Sequence, residues 1–293
     1  MARPSHILAA LAALTTSAAA QLDNVLTSQE QAAGWKLLFD GTTAPGLRGL
    51  QNPDFFKAGW TILNGALVLP KTVKQSGEVT GGDLVTAEQF SDFEFSFEFK
   101  FTASAHTGIL YFARGGPNKK PTGHEYQIID DVHHPDGLKG GPLRRTGALY
   151  GVLAPSEDKK LNVSDSWNSG AIVVRGNRVE HWLNGKKVLE YECESPQFAA
   201  AVRESKAKVP PTFGKKIKSS LVILDKGEEV AFRNLKIRAI SAAAATPVPP
   251  PKPPAAATPS PAPAGATPAP RPGATPKPGR ALPPPPPPPD LKP

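Results

Sequence analysis

The segment GHEYQIID, ending at Asp130, puts Glu125 and Gln127 on one face of an extended stretch and Tyr126, Ile128 and Asp130 on the other. A Glu-x-Gln pair on a sheet surface can recognise sugar hydroxyls, and Glu125 can also act as a general acid or base. A polar sheet face with satisfied hydrogen bonds accounts for the same pair. Directly after it, DDVHHPDG, Asp130 to Gly137, gathers three carboxylates and two imidazoles in eight residues, a composition able to hold a divalent cation. No HExxH-like spacing fixes those ligands on one face, and Pro135-Asp136-Gly137 is ordinary turn chemistry, so no metal ligand is assigned and no cofactor is required. Arg114, closing HTGILYFAR, could fix an oxyanion or a keto oxygen, or pair with an acid at a sheet rim. His181, in VEHWLNG, could shuttle a proton, and Trp167-Asn168 with Trp182 could make a sugar-stacking platform, although packed side chains explain both. No Ser/His/Asp order, P-loop or dinucleotide fingerprint is present.

The elements that must carry these residues are strands. In DFEFSFEFKF, Phe93, Phe95, Phe97, Phe99 and Phe101 share one face, while Asp92, Glu94, Ser96, Glu98 and Lys100 share the other. Glu94 and Glu98 mimic a glycosidase carboxylate pair, but four extended residues place their backbones roughly 13 Å apart, so the polar face reads as solvated. Further strands are expected at 60–69, 108–114, 125–130, 147–153, 170–174, 178–183, 187–192, 221–225 and 229–240. Asn184-Gly185 suits a type I′ turn joining two of them. A helix is expected over Ser195 to Lys206, capped by Ser195 with Pro196 in the first turn. About ten strands with so little helix imply two packed antiparallel sheets, rimmed by long connections at 70–82, 115–123, 131–145 and 155–166.

Composition bounds the rest. Residues 241–293 hold 22 of the 34 prolines and none of the Trp, Phe or Tyr, so they read as an extended polyproline II tail whose partner composition does not reveal. Residues 1–20 carry Arg3, an apolar run from Ile7 to Leu14 and Ala18-Ala19-Ala20, the three-part plan of a secretory signal cut before Gln21. That run is too short for a transmembrane span, and the expected location is periplasmic or extracellular. One domain then occupies 21–240. Its net charge of about +3, with no basic cluster interleaved with aromatics, gives no support to a nucleic-acid partner. Cys193, the sole cysteine, excludes an intramolecular disulfide and lacks any activating pattern.

Taken in order, LFDG (Leu38 to Gly41), Trp60 with NGAL, GGDLVTAEQFSDFEFSFEFK, TGILYFAR, GHEYQIIDD, HHPDG, TGALYGVLAP, WNSGAIVVRGNRVEHWLNGKKVLEYE and VAFRNLKIRAI make the chain resemble the 3-keto-disaccharide hydrolase family from about Trp35 to Ile240. The resemblance implies an all-β, two-sheet antiparallel jelly-roll sandwich of the concanavalin A-like lectin and glucanase type, in an exported protein acting on carbohydrate. It also implies cleavage of glycosides whose glucose carries a ketone at carbon 3. That ketone acidifies the carbon 2 hydrogen, so a base can remove it, the enolate can expel the aglycone, and water can add to the enone. Carried over by motif, the site residues are Glu125, His181 and Arg114 as catalytic groups, with Gln127, Asp130, His134, Tyr150, Trp167 and Asn168 binding substrate. On chemical grounds, the base is expected to be Glu125 or one of the two histidines, His134 or His181, and Arg114 is expected to stabilise the enolate. The chain departs from the family pattern at His106, where Asn is usual, and at Leu224 and Lys226, where Gln and His are usual. Such departures could instead leave a non-catalytic lectin-like binding module.

Overall fold

Alternation along Asp92 to Phe101 decides the architecture. The five phenylalanines of that stretch are all at most 2% exposed, and Phe97 meets Tyr126 of the opposing sheet edge-on, with ring centres 5.4 Å apart. A strand with one wholly aromatic face must bury it against a second layer. The computed structural model describes residues 22–54, 59–71, 82–116 and 119–240. The expected signal segment and proline-rich tail lie outside the described residues, as does most of the connection expected at 70–82.

Thirteen strands and three short helices form among the described residues. The first part of the chain gives α1 (Ser28–Ala32), β1 (Lys36–Leu37), β2 (Leu47–Gly49), β3 (Thr61–Leu63), β4 (Ala66–Leu69), β5 (Leu84–Thr86), β6 (Phe93–Phe101), β7 (His106–Gly116) and β8 (Lys119–Ile129). There follow α2 (Pro135–Lys139), a 3-10 turn (Gly141–Arg144), β9 (Asn168–Arg175), β10 (Arg178–Leu183), β11 (Lys186–Glu192), α3 (Pro196–Ser205), β12 (Val222–Ile223) and β13 (Val230–Ala239). An eight-stranded sheet runs β11-β10-β9-β6-β13-β4-β3, with β1 also on β13, and a five-stranded sheet runs β2-β5-β12-β7-β8. Every pairing is antiparallel, and neighbours distant in sequence, such as β6 with β13 and β7 with β12, give the crossovers of a jelly-roll sandwich.

The expected hairpin forms, with Asn184 and Gly185 at φ 48° and 77°, as a type I′ turn demands. Ser195 caps α3 by accepting from Phe198 N–H at 3.1 Å. Three expectations are corrected. Residues 115–116 and 119–123 are not loop, because β7 and β8 extend through them as paired strands, with Arg114 opposite Thr122 and Gly116 opposite Lys119. Residues 147–153 form turns rather than a strand, held against β8 by backbone hydrogen bonds on either side of the isolated Tyr126–Leu149 bridge. The face carrying Glu94 and Glu98 is not solvated. Both carboxylates are buried, Glu94 between Arg175 and Arg238 and Glu98 on Arg233, because the β13 register sets Arg238 opposite Glu94 and Arg233 opposite Glu98. Helix α1, whose Thr27–Glu30 capping box is legible in the chain, covers part of that face and puts Glu30 on Lys236 at 2.9 Å.

Candidate functional site

On the five-stranded sheet, the register places Val85, Val222, Leu110 and Glu125 in one row, with Gly108 opposite Gln127 two residues along. These side chains share the face turned away from the aromatic core. Gly108 is required there: a Cβ at this position would overlap the Glu125 carboxylate, which lies across the bare backbone. Gln127 is fully buried beside it, and with its amide turned to donate it lies 3.2 Å from both Thr107 O and Glu125 Oε1. Among the described residues the cation paired with Glu125 is Lys226, whose Nζ stands 3.7 Å from Oε1. Burial raises the Glu125 carboxyl above its ordinary range, while Lys226 and Lys120 pull it down and Asp136 pushes it up.

Two connections complete the site. Residues 146–150 line the free edge of β8: Gly147 N–H donates to Gln127 O (2.9 Å), Gln127 N–H to Ala148 O (3.1 Å) and Tyr150 N–H to Glu125 O (3.0 Å). Tyr150 is thereby set beside Glu125, and its hydroxyl donates to Asp136 Oδ2 (2.9 Å) while accepting from Arg144 (2.8 Å). Burial and Asp136 push the Tyr150 phenol up to about 12. The connection from β12 to β13 is pinned to β7 by Leu224 N–H on Gly108 O (2.9 Å) and Thr107 Oγ1 on Leu224 O (2.6 Å). It presents Lys226 to Glu125 and Glu228 to His106. The His106 backbone N–H and ring Nδ1 both lie 2.6 Å from Glu228 Oε2. Asp83 and Asp225 flank this connection, joined through Asp225 N–H on Asp83 Oδ1 (2.9 Å), and burial raises both carboxyls.

Of the nine residues predicted from sequence, the structure brings together Glu125, Gln127, His134 and Tyr150. Asp130 sits nearby but organises the loop. Its carboxylate accepts from the N–H groups of Ser104, Val132 and His133 and meets the His133 ring at 2.8 Å, bonds that hold it below the usual range against the opposing effect of burial. Arg114 points elsewhere. It is exposed, has no partner among the described residues, and lines a depression with Phe112, Thr122, His124, Pro210 and Phe213. His181 is wholly buried between the sheets, its Nδ1 2.9 Å from Gly147 O and its Nε2 2.7 Å from the Tyr111 hydroxyl. Burial lowers it to about 4, and no substrate can reach a side chain with no exposed surface. Trp167 packs over the eight-stranded sheet under Arg233 (4.2 Å) and Lys100 (5.4 Å). Asn168 is a buried pin, its Oδ1 accepting from Asn162 N–H and Asn184 Nδ2 at 2.8 Å each.

Lys226, Asp136, Arg144, His106 and Glu228 were not assigned to the site from sequence. Lys226 and His106 are two of the departures noted above, and Asp136 lies in DDVHHPDG. The loop as a whole is not a cation cage, because Asp130 and His133 bind each other and Asp131 binds Lys159. His134 does join His106 and Glu228, donor atoms lying within 4.8 Å of one another. Yet His134 caps α2 by accepting Asp136 N–H on Nδ1 (3.0 Å), so its neutral ring carries hydrogen on Nε2, the atom 3.6 Å from Glu228. With the Nδ1 lone pair taken by the cap and hydrogen on Nε2, His134 as bonded offers no lone pair to a cation, so the set does not fit one.

The family model for the 3-keto-alpha-glucoside-1,2-lyase-like domain matches residues 34–238. A 3-keto-disaccharide hydrolase of Bacteroides thetaiotaomicron is 29% identical over 246 residues, spanning 76% of this chain and 83% of that protein. The crystal structure of a candidate glycosyl hydrolase from Parabacteroides distasonis is 31% identical with a TM-score of 0.66, spanning 75% of this chain and 100% of that one. A second structure from the same organism, 24% identical with a TM-score of 0.53 over 70% of this chain and 99% of its own, shares the fold.

Proposed function

This chain belongs to the 3-keto-alpha-glucoside-1,2-lyase-like family and is carbohydrate-active, and from that premise we propose that it is an exported enzyme cleaving 3-keto-glucosides or 3-keto-disaccharides by elimination and hydration. The observation that carries this reading is Glu125, a desolvated carboxylate lying over Gly108 with Lys226 at 3.7 Å. A carboxyl with a raised pKa is a stronger base than an exposed one, suited to a carbon acid that a ketone has already weakened. Glu125 takes the carbon 2 proton. Lys226, rather than Arg114, supplies positive charge to the enolate oxygen. The electron pair returns to expel the aglycone from carbon 1, water adds to the enone there, and Glu125 gives its proton back to carbon 2. The Tyr150–Asp136–Arg144 group binds sugar hydroxyls, while the buried Gln127 amide holds the Glu125 carboxylate in place. No pair of carboxylates across a cleft is needed, since no oxocarbenium ion forms. Export rests on the three-part pattern of residues 1–20 and is checked by N-terminal sequencing of the protein recovered outside the cytoplasm.

The test incubates the full chain with matched plain and 3-keto glucosides, with and without a chelator, and follows aglycone release. Release from the keto substrate alone is expected. Release that chelation abolishes assigns a divalent cation to the reaction. Saturable binding without release from either substrate replaces the enzyme with a lectin-like module.

A further inference from the structure

Around His106 the hydrogen bonds have a direction. Glu228 Oε2 accepts from the His106 backbone N–H, and the ring Nδ1 is at the same distance, 2.6 Å, from the same oxygen. A carboxylate only accepts, so Nδ1 carries hydrogen and the neutral ring keeps its lone pair on Nε2. That Nε2 has no partner among the described residues, and the side chain is 22% exposed. His134 supports the arrangement from the other side: its Nε2–H faces Glu228 Oε1 at 3.6 Å, and its ring packs on His106 with centres 4.4 Å apart. His106 is two residues along β7 from Gly108, on the same sheet face, so its side chain and the Glu125 carboxylate are neighbours on one surface. Lys226 acts electrostatically on both.

The geometry points to His106, oriented by Glu228, as the acid–base residue serving carbon 1, paired with Glu125 at carbon 2. This rests on the elimination reading above. As the carbon 1–oxygen bond breaks, its electron pair leaves with the glycosidic oxygen, which takes the Nε2 proton of the His106 imidazolium. Water then adds to carbon 1 and gives a proton to the same Nε2, the enone electrons moving to the carbon 3 oxygen. Glu125 returns its proton to carbon 2, and both residues end as they began. Glu228 is a positioning residue in this scheme, as the carboxylate is in a carboxylate–histidine pair.

The charged and titratable groups facing His106 are Glu228, His134 and Lys226. Burial lowers His106, Glu228 raises it, and His134 and Lys226 lower it further. The test is a pH–rate profile of the full chain on a 3-keto glucoside, beside H106N and E228Q. A bell is expected, its acid limb from Glu125 and its alkaline limb from His106. H106N should lower kcat about 10²-fold and flatten the alkaline limb. E228Q should move that limb to lower pH, since the bond that raises His106 is lost. An alkaline limb surviving in H106N overturns the proposal while leaving the elimination reading intact, whereas an inactive unaltered chain overturns both. Turnover that requires zinc, with zinc binding lost in H106N and E228Q alike, overturns it in favour of a metal site. Imidazole 15N NMR without substrate checks the tautomer independently: hydrogen on Nδ1 with Nε2 titrating is expected, and the reverse tautomer sinks the proposal.

Discussion

The outer faces of the two sheets carry similar residues and use them in opposite ways. On the eight-stranded sheet and the helix α1 that covers it, each buried carboxylate among the described residues meets a cation: Glu94 with Arg175 and Arg238, Glu98 with Arg233, and Glu30 of α1 with Lys236. On the five-stranded sheet, Glu125 is set nearly as deep, its side chain 13% exposed, but among the described residues it has a single lysine at 3.7 Å, and Asp83 faces Asp225, a like charge. Matched charges closed by hydrogen bonds lock a surface. A carboxylate buried without full compensation is held at a cost that binding or proton transfer can relieve, which is how working sites differ from structural ones.

The sharpest way to break that comparison is to remove one carboxylate from each face. Glu125→Gln should lower kcat about 10³-fold by deleting the base, with the thermal midpoint unchanged or raised. Glu94→Gln should do the reverse, destabilising by about 3 kcal/mol because two arginines lose their buried partner, with kcat of the folded fraction intact. Thermal melts and initial rates on the keto substrate read both. Equal loss of activity in the two variants would erase the distinction.

A pH series sharpens it. A carboxyl whose folded pKa is raised binds a proton in the native state that the unfolded chain does not hold, so its contribution to stability increases as pH falls toward 4.5. Wild type should therefore be less stable than Glu125→Gln at neutral pH and approach it on acidification. His181 and His124 act oppositely. Burial lowers them to about 4 and about 3, so the folded chain loses stability as pH falls from 6.5 through those values. Urea unfolding of both chains from pH 7.5 to 4 isolates the Glu125 effect, because the histidines cancel in the difference.

Period-two alternation in DFEFSFEFKF and the Asn184-Gly185 turn were enough to anticipate two packed antiparallel sheets, since each is a local signal that packing only confirms. The faces of those sheets were less legible. Glu94 and Glu98 read as solvated because their arginines arrive from β9 and β13, more than 70 residues away in the chain. The Glu125–Gln127 pair was visible because both sit on one strand. Lys226 and His106 appeared only as departures from a family pattern, since nothing local tells that a connection bonded to Gly108 and Thr107 delivers one to Glu125 and a carboxylate to the other. His181 misled for a related reason: its alternation matches a sheet face, but which face is inside depends on the layer opposite.

The smallest expected effect tests the quieter face. Trp167 was a reasonable sugar platform from sequence, and it does stack a cation, but the cation is Arg233 at 4.2 Å, which also binds Glu98 and Asp23. The ring thus caps an ion-pair network on the sheet that lacks Glu125. Trp167→Ala should cost about 1 kcal/mol, the scale of a partly exposed cation–π contact with some lost packing, and should leave KM and kcat for a 3-keto glucoside within about twofold. A tenfold rise in KM would put substrate on the eight-stranded sheet as well, and the division of labour between the two faces would not hold.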